Sequence, residues 1–262
     1  MTAGGAVTAL VLAGRRKGGP DPMAAAAGVS HKALLPVAGV PMLLRVVAAL
    51  RASPAVGRVV VCVESPGETL SGLRGLEGVE TRAAAASPAA SVAAALAEPG
   101  GAPLLVTTAD HALLTPEMVG HFLRSAPPGA AAVAALARSE TVLAAYPGTR
   151  RTWLRFRDGA FSGCNLFLLA DADAAGRAVA FWRRVEGARK RPLAMARALG
   201  PLLVLRFALG RLTLRAALDA LGRRCGARLA AVEMPFADAA VDVDKPDDLA
   251  LAEAALRRRG EG

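Results

Sequence analysis

Residues 6–19 read Ala6-Val7-Thr8-Ala9-Leu10-Val11-Leu12-Ala13-Gly14-Arg15-Arg16-Lys17-Gly18-Gly19, and this stretch decides the fold. The run from Ala6 to Ala13 is rich in Val and Leu, the pattern of a strand buried on both faces. A glycine-containing basic loop follows. From there strand-like and helix-like segments alternate. Met42 to Arg51 has helical spacing, and Arg58 to Val63 reads as a second buried strand, with a short third at Val79 to Arg82. Ser87-Pro88 opens a helix through Ala97, with proline where a missing N–H does no harm. Leu104 to Thr108 is another strand, and Thr115-Pro116-Glu117 caps a helix through Arg124. Alternation of this kind predicts an α/β fold with a mostly parallel sheet. Ligands in such sheets bind beyond the carboxyl ends of the strands. Both Gly14 and Asp110 fall there.

The second half is less regular. Strands are expected at Ala131 to Leu136, Trp153 to Phe156, Asn165 to Leu169 and Arg228 to Glu233. Helices are expected at Ala172 to Arg184, at Arg197 to Leu221 with breaks at Gly200-Pro201 and Gly210, and at Asp247 to Arg259. The last has an acidic first turn and a basic last turn, which suits the helix dipole.

Composition narrows the function. The chain has 262 residues, 53% hydrophobic and 21% charged, which is globular and excludes disorder, collagen and coiled coil. Its 32 Lys and Arg against 22 Asp and Glu give a net charge of +10. Almost all of the cations are arginine, a good partner for phosphate oxygens. Aromatics are only 4% and no reader motif is present, which argues against nucleic acid as the partner. Cys62, Cys164 and Cys225 have no C-x-x-C spacing, so neither a zinc module nor a disulfide framework is expected, and a reducing cytosol is. Met1 to Leu12 lacks the basic region of a secretory leader, and no apolar run approaches the roughly 20 residues of a membrane span.

Three stretches carry candidate chemistry, the glycine loop first. Glycines after a strand let backbone amides approach phosphate, and nearby arginines or lysines neutralise it. The loop is neither G-x-x-x-x-G-K-[ST] nor G-x-G-x-x-G, so a Walker kinase and a dinucleotide binder lose support. Thr107-Thr108-Ala109-Asp110-His111 puts a carboxylate at a strand end, where it can hold Mg²⁺ or simply be solvated. In Val241-Asp242-Val243-Asp244-Lys245-Pro246-Asp247-Asp248-Leu249, Asp242 and Asp244 share one face of an extended segment. Asp247 and Asp248 read as first-turn helix residues without a catalytic role. His31, His111 and His121 are not at metal-ligand spacing.

In order, the Leu12-Ala13-Gly14 loop, Lys32-Ala33-Leu34-Leu35-Pro36-Val37-Ala38-Gly39, Ala109-Asp110 and Val243-Asp244-Lys245-Pro246-Asp247-Asp248-Leu249 resemble the motifs of the MobA-like NTP transferases. These are nucleotidyltransferase relatives of molybdenum-cofactor guanylyltransferase and of sugar-nucleotide synthetases. The resemblance implies one doubly wound, glycosyltransferase-A-like domain over residues 1–262, with helices on both faces of the sheet. It implies transfer of a nucleoside monophosphate from an NTP, CTP or GTP, to a phosphorylated small-molecule acceptor, with release of pyrophosphate and dependence on Mg²⁺; the basic and apolar segment 183–215 extends that expectation to a lipid-linked acceptor. Carried over by position, Leu12, Ala13 and Gly14 line the nucleotide, and Ser91 lies in the base-recognition region. Lys32 neutralises the phosphates, Asp110 and Asp244 hold the metal, and Asn165 of Ser162-Gly163-Cys164-Asn165 meets the acceptor. Arg15 stands where the family has a second glycine, and Arg15 or Arg16 would replace the family's later arginine. An acceptor phosphate is already ionised, so no general base is needed and positioning plus charge neutralisation suffice.

Two rivals share the scaffold type. A glycosyltransferase would use an Asp-x-Asp such as Asp242-Val243-Asp244, and a non-catalytic nucleotide-binding protein would keep the altered glycine loop without turnover. Residues 183–215 form a basic and apolar helical insertion. Either its apolar face packs on the sheet with solvated arginines, or it lies at a membrane interface. The location expected is accordingly the cytoplasm, with peripheral contact at the inner membrane surface as the alternative for this segment.

Overall fold

The structure is a computed structural model that describes residues 6–15, 19, 21–188 and 191–261. Arg16, and the Arg189-Lys190 pair of the insertion, lie outside the described residues. Ten strands occur among those described: β1 (Val7–Leu12), β2 (Pro36–Val37), β3 (Val40–Pro41), β4 (Val56–Val63), β5 (Glu80–Ala83), β6 (Leu104–Thr108), β7 (Ala132–Arg138), β8 (Leu154–Phe156), β9 (Gly159–Leu169) and β10 (Leu229–Glu233). β2 and β3 make a small hairpin by themselves. The other eight form one sheet in the order β10-β7-β9-β6-β1-β4-β5, with β8 paired to β9.

The sheet is parallel except at β9, which runs antiparallel to β6, β7 and β8. Alternation along the strands explains why both faces are covered. Ala9 and Val11 of β1, with Val59, Val61 and Val63 of β4, point into a core shared with the helices Met42–Arg51, Pro116–Ser125 and Pro246–Arg259. Leu10, Val60 and Cys62 point the other way, onto Pro88–Leu96 and Ala172–Ala188. A run without polar positions therefore reads as a strand because each side chain has an apolar layer to enter.

Register fixes where the site can be. Leu12 lies opposite both Cys62 and Thr108, so β1, β4 and β6 end at one level. Gly14, Glu64 and Asp110 then leave the sheet along the same edge. β9 reverses the chain, and its pairing of Leu166 with Thr107 brings Asn165 to that edge as well. The sequence placed only Asn165 to Leu169 in a strand, whereas the strand begins at Gly159. Small and polar residues at Ser162, Gly163 and Cys164, and the left-handed Asn165 (φ 46°) where the pairing with β7 slips, hide the alternation. The helical stretch expected over 197–221 does break at Gly200 and around Gly210, into Pro192–Leu199, Pro201–Ala208 and Leu214–Cys225, the first of them starting five residues earlier than expected. The helix Ser139–Ala145 and the β2–β3 hairpin were not anticipated.

One glycine near the sheet leaves no room for substitution. A Cβ on Gly101, just before β6, would stand 2.5 Å from the Ala95 carbonyl oxygen and 2.6 Å from that of Leu96. These are backbone atoms at the end of a helix and cannot turn aside. Gly101→Ala is expected to cost about 2 kcal/mol, read as a lower midpoint in urea. Gly67→Ala, with open space around it, serves as the control.

Candidate active site

The loops that leave β1, β4 and β6 surround a cleft of about 400 Å³ lined by Leu12, Ala13, Gly14, Arg15, Lys32, Asp110 and Asp244, among others. Its size is that of a small-molecule site. At its mouth the Lys32 ammonium lies 3.0 Å from Asp110 Oδ2 and 2.5 Å from Asp244 Oδ1. Three residues from distant parts of the sequence thus meet at one point. Burial lowers the Lys32 pKa, but attraction to Asp110 and the contact with Asp244 outweigh it, and the net shift is upward. Lys32 is a fixed positive charge.

Each member is held from behind. Lys32 opens a single 3₁₀ turn, Lys32–Leu34, that leads into the β2–β3 hairpin. Thr108 donates its hydroxyl to Asp110 Oδ1 at 2.5 Å. The backbone N–H of Val243 donates to the Asp110 carbonyl at 3.0 Å, which joins the Asp242–Asp244 loop directly to the end of β6. Asp248 Oδ2 accepts the Asp244 N–H at 3.2 Å. Asp248 therefore does more than open the last helix: it fixes the loop that carries Asp244.

The two carboxylates of Asp242-Val243-Asp244 face different partners. Asp242 pairs with Arg151 and accepts from the Asn165 amide at 3.5 Å, while Asp244 meets Lys32. Arg151 has a side chain only 6% exposed and also reaches Asp248 at 3.3 Å. Burial raises the pKa of Asp242, Arg151 opposes that, and the neighbouring Asp110 and Asp244 charges add to the rise. Sequence reasoning missed Arg151. It sits in a polar loop, where nothing distinguishes it from Arg150 until the fold brings Asp242 and Asp248 to it.

On the other wall, the Arg15 N–H donates to both Glu64 carboxylate oxygens at 2.9 and 3.0 Å, and Arg15 Nε donates to His31 Nε2 at 2.9 Å. His31 is buried. Desolvation, then the Arg15 charge, lower its pKa and keep the ring an acceptor. A Cβ on Gly14 would lie 3.0 Å from Glu64 Oε1 and 3.3 Å from Ala84 Cβ, so this turn is close-packed. Ser91 is elsewhere. It is buried in the helix Pro88–Leu96, and its Oγ accepts the Ala85 N–H at 2.9 Å, so it secures the loop after β5 and does not line the cleft. The hydroxyl of Ser91, expected near the base-recognition region, is engaged by its own loop. Asn165, expected to meet the acceptor, has its amide on Asp242.

Among the described residues no group of three or more His, Cys, Asp or Glu could hold a metal. Mg²⁺ needs less. It binds through one or two carboxylates and completes its shell with water and substrate phosphate, and Asp110 and Asp244 are the residues that would hold it here.

The sequence profile of the MobA-like NTP transferase domain matches residues 9–225, which stops short of Asp242 and Asp244. No curated protein matches the chain. Among solved structures, a hypothetical transferase from Thermus thermophilus is 35% identical with a TM-score of 0.79, covering 93% of this chain and 99% of its own. A 4-diphosphocytidyl-2C-methyl-D-erythritol synthase is 16% identical, with a TM-score of 0.58 and coverage of 95% and 97%. A CMP:2-keto-3-deoxy-manno-octonic acid synthetase solved with CTP is 12% identical, at 0.58 with coverage of 97% and 99%. The last two share the fold.

Two measurements test this geometry. Arg151→Met leaves Asp242 and Asp248 without their cation, and removing one member of a buried ion pair costs about 3 kcal/mol; urea denaturation at neutral pH should show it. His111, enclosed behind Asp110, has its pKa pushed down by burial to about 4 from 6.5. The folded state then favours the uncharged ring. The associated stability is complete above about pH 6.5 and is lost as pH falls toward 4, by about 3 kcal/mol. His111→Gln should flatten that part of the stability profile.

Proposed function

The chain belongs to the MobA-like NTP transferase family, and from that premise we propose that it transfers a nucleoside monophosphate from CTP or GTP to a phosphorylated acceptor and releases pyrophosphate. The observation that carries this reading is the convergence of Lys32, Asp110 and Asp244 at the mouth of a cleft walled by Leu12, Ala13, Gly14 and Arg15. The close-packed Gly14 turn lets backbone approach the phosphates. Lys32 sets positive charge where negative charge develops on the α-phosphate and on departing pyrophosphate, and Arg15 adds to it from the opposite wall. Asp110 and Asp244 would hold Mg²⁺, which when bound supplies further neutralisation of the triphosphate.

The acceptor is a phosphate ester, small or lipid-linked. Its ionised oxygen is nucleophile enough without a base, so the residues have to align it and not deprotonate it. Asn165, whose amide meets Asp242 at the strand edge, would help orient it. CTP is favoured over GTP by the two sheet-sharing synthetases, whose names identify cytidylyl chemistry. The glycosyltransferase reading is less favoured because Asp242-Val243-Asp244 lies near the C-terminal end of the sequence and not mid-chain.

Purified protein, given Mg²⁺, each NTP in turn and a panel of phosphorylated acceptors, should release pyrophosphate with one combination. Asp110→Ala should abolish that release, and Lys32→Met should lower it by about 100-fold or more. Nucleotide binding seen by calorimetry, with no pyrophosphate from any acceptor, would make the protein a non-catalytic nucleotide binder and overturn the proposal.

A further inference from the structure

The helix Pro201–Ala208 shows its leucines to solvent. No residue of it is buried, and Leu202, Leu205 and the following Leu209 are 69%, 53% and 57% exposed. Steps of three and four set these on one face, and Arg206 projects from the same face. The opposite side docks the helix, with Phe207 packed edge-on against Phe156 of β8 at 5.3 Å between centroids. In the preceding helix, Pro192–Leu199, Leu193 is 85% exposed. Of the apolar residues in this segment, Leu212 is buried, whereas Leu202, Leu205 and Leu209 do not pack on the sheet.

The charge around it is concentrated. Residues 183–224 carry 11 Lys and Arg against two acids, Glu186 and Asp219, which leaves 21 Lys and Arg against 20 Asp and Glu in the rest of the chain. Nearly the whole net charge belongs to this one segment. All of its described arginines are exposed. Among the described residues no helix is long and apolar enough to cross a membrane.

We propose that this face seats on an anionic bilayer surface, with the leucines entering the headgroup boundary and the arginines meeting lipid phosphates. Exposed apolar side chains beside dense positive charge are the two components of interfacial binding, and each reinforces the other. A second copy is a poor occupant because it would bring the same positive charge to the contact. Nucleic acid would satisfy the arginines but would leave the leucines against water.

Flotation with phosphatidylglycerol-containing vesicles and with pure phosphatidylcholine vesicles tests the proposal. The full chain should float with the first at low salt and not with the second. Leu202→Ser, Leu205→Ser and Leu209→Ser together should reduce partitioning by roughly tenfold or more, and Arg206→Glu with Arg211→Glu should reduce it and weaken its salt dependence. Exposed positions keep these variants folded, which circular dichroism and pyrophosphate release with a soluble acceptor would check. Wild-type protein that stays unbound, or a triple Ser variant that floats as well as wild type, would refute it. So would a concentration-dependent dimer that the Ser substitutions abolish, because the face would then belong to a second copy.

Discussion

An ammonium wedged between two carboxylates organises this molecule. Lys32, Asp110 and Asp244 are separated by 78 and 134 residues along the chain, yet the Lys32 nitrogen touches both acids. Bringing two like charges together beside a partly desolvated site is unfavourable unless a cation separates them. Lys32 fills that role, and the elements behind it exist to hold the three in place: the 3₁₀ turn, the end of β6 and the loop before the last helix. The same arrangement fixes a positive charge between two carboxylates at the cleft.

Support for the acids comes from a second, drier cluster. Arg151 neutralises Asp242 and Asp248, and Asp248 in turn caps the Asp244 N–H. A buried ion pair adds little net stability over an apolar replacement, but it fixes geometry, because any displacement leaves a charge unpaired. Here what it fixes is the path of residues 242–244. Asn165 joins the cluster because β9 runs against the direction of its neighbours.

Much of this was legible in the sequence, and the reasons are physical. β1, β4 and β6 are buried on both faces, so continuous apolar runs identified them. Ser87 and Thr115 cap their helices through side-chain oxygens, so those starts were readable to the residue. Asp110, Asp244 and Lys32 were singled out by motif, and the fold brings them together. Arg151 and the structural use of Asp248 were hidden because their meaning lies in long-range pairing, which no local pattern encodes. Ser91 shows the converse: a serine in a first helical turn has a local use, fastening its own loop, that only the fold reveals. The strand before Asn165 was concealed by residues chosen for a bulge.

The hydrogen bond from the Val243 N–H to the Asp110 carbonyl has a consequence for biosynthesis. Domains take shape from the N-terminus as translation proceeds. Seven of the eight strands of the main sheet precede residue 170, so a growing polypeptide can pair them long before the ribosome reaches Val243. Until then Lys32 has only Asp110 to neutralise, and the cleft lacks one side. Completion of the cleft is thereby timed to the final stage of synthesis, and a prematurely released chain would carry a nearly finished scaffold with an unfinished mouth.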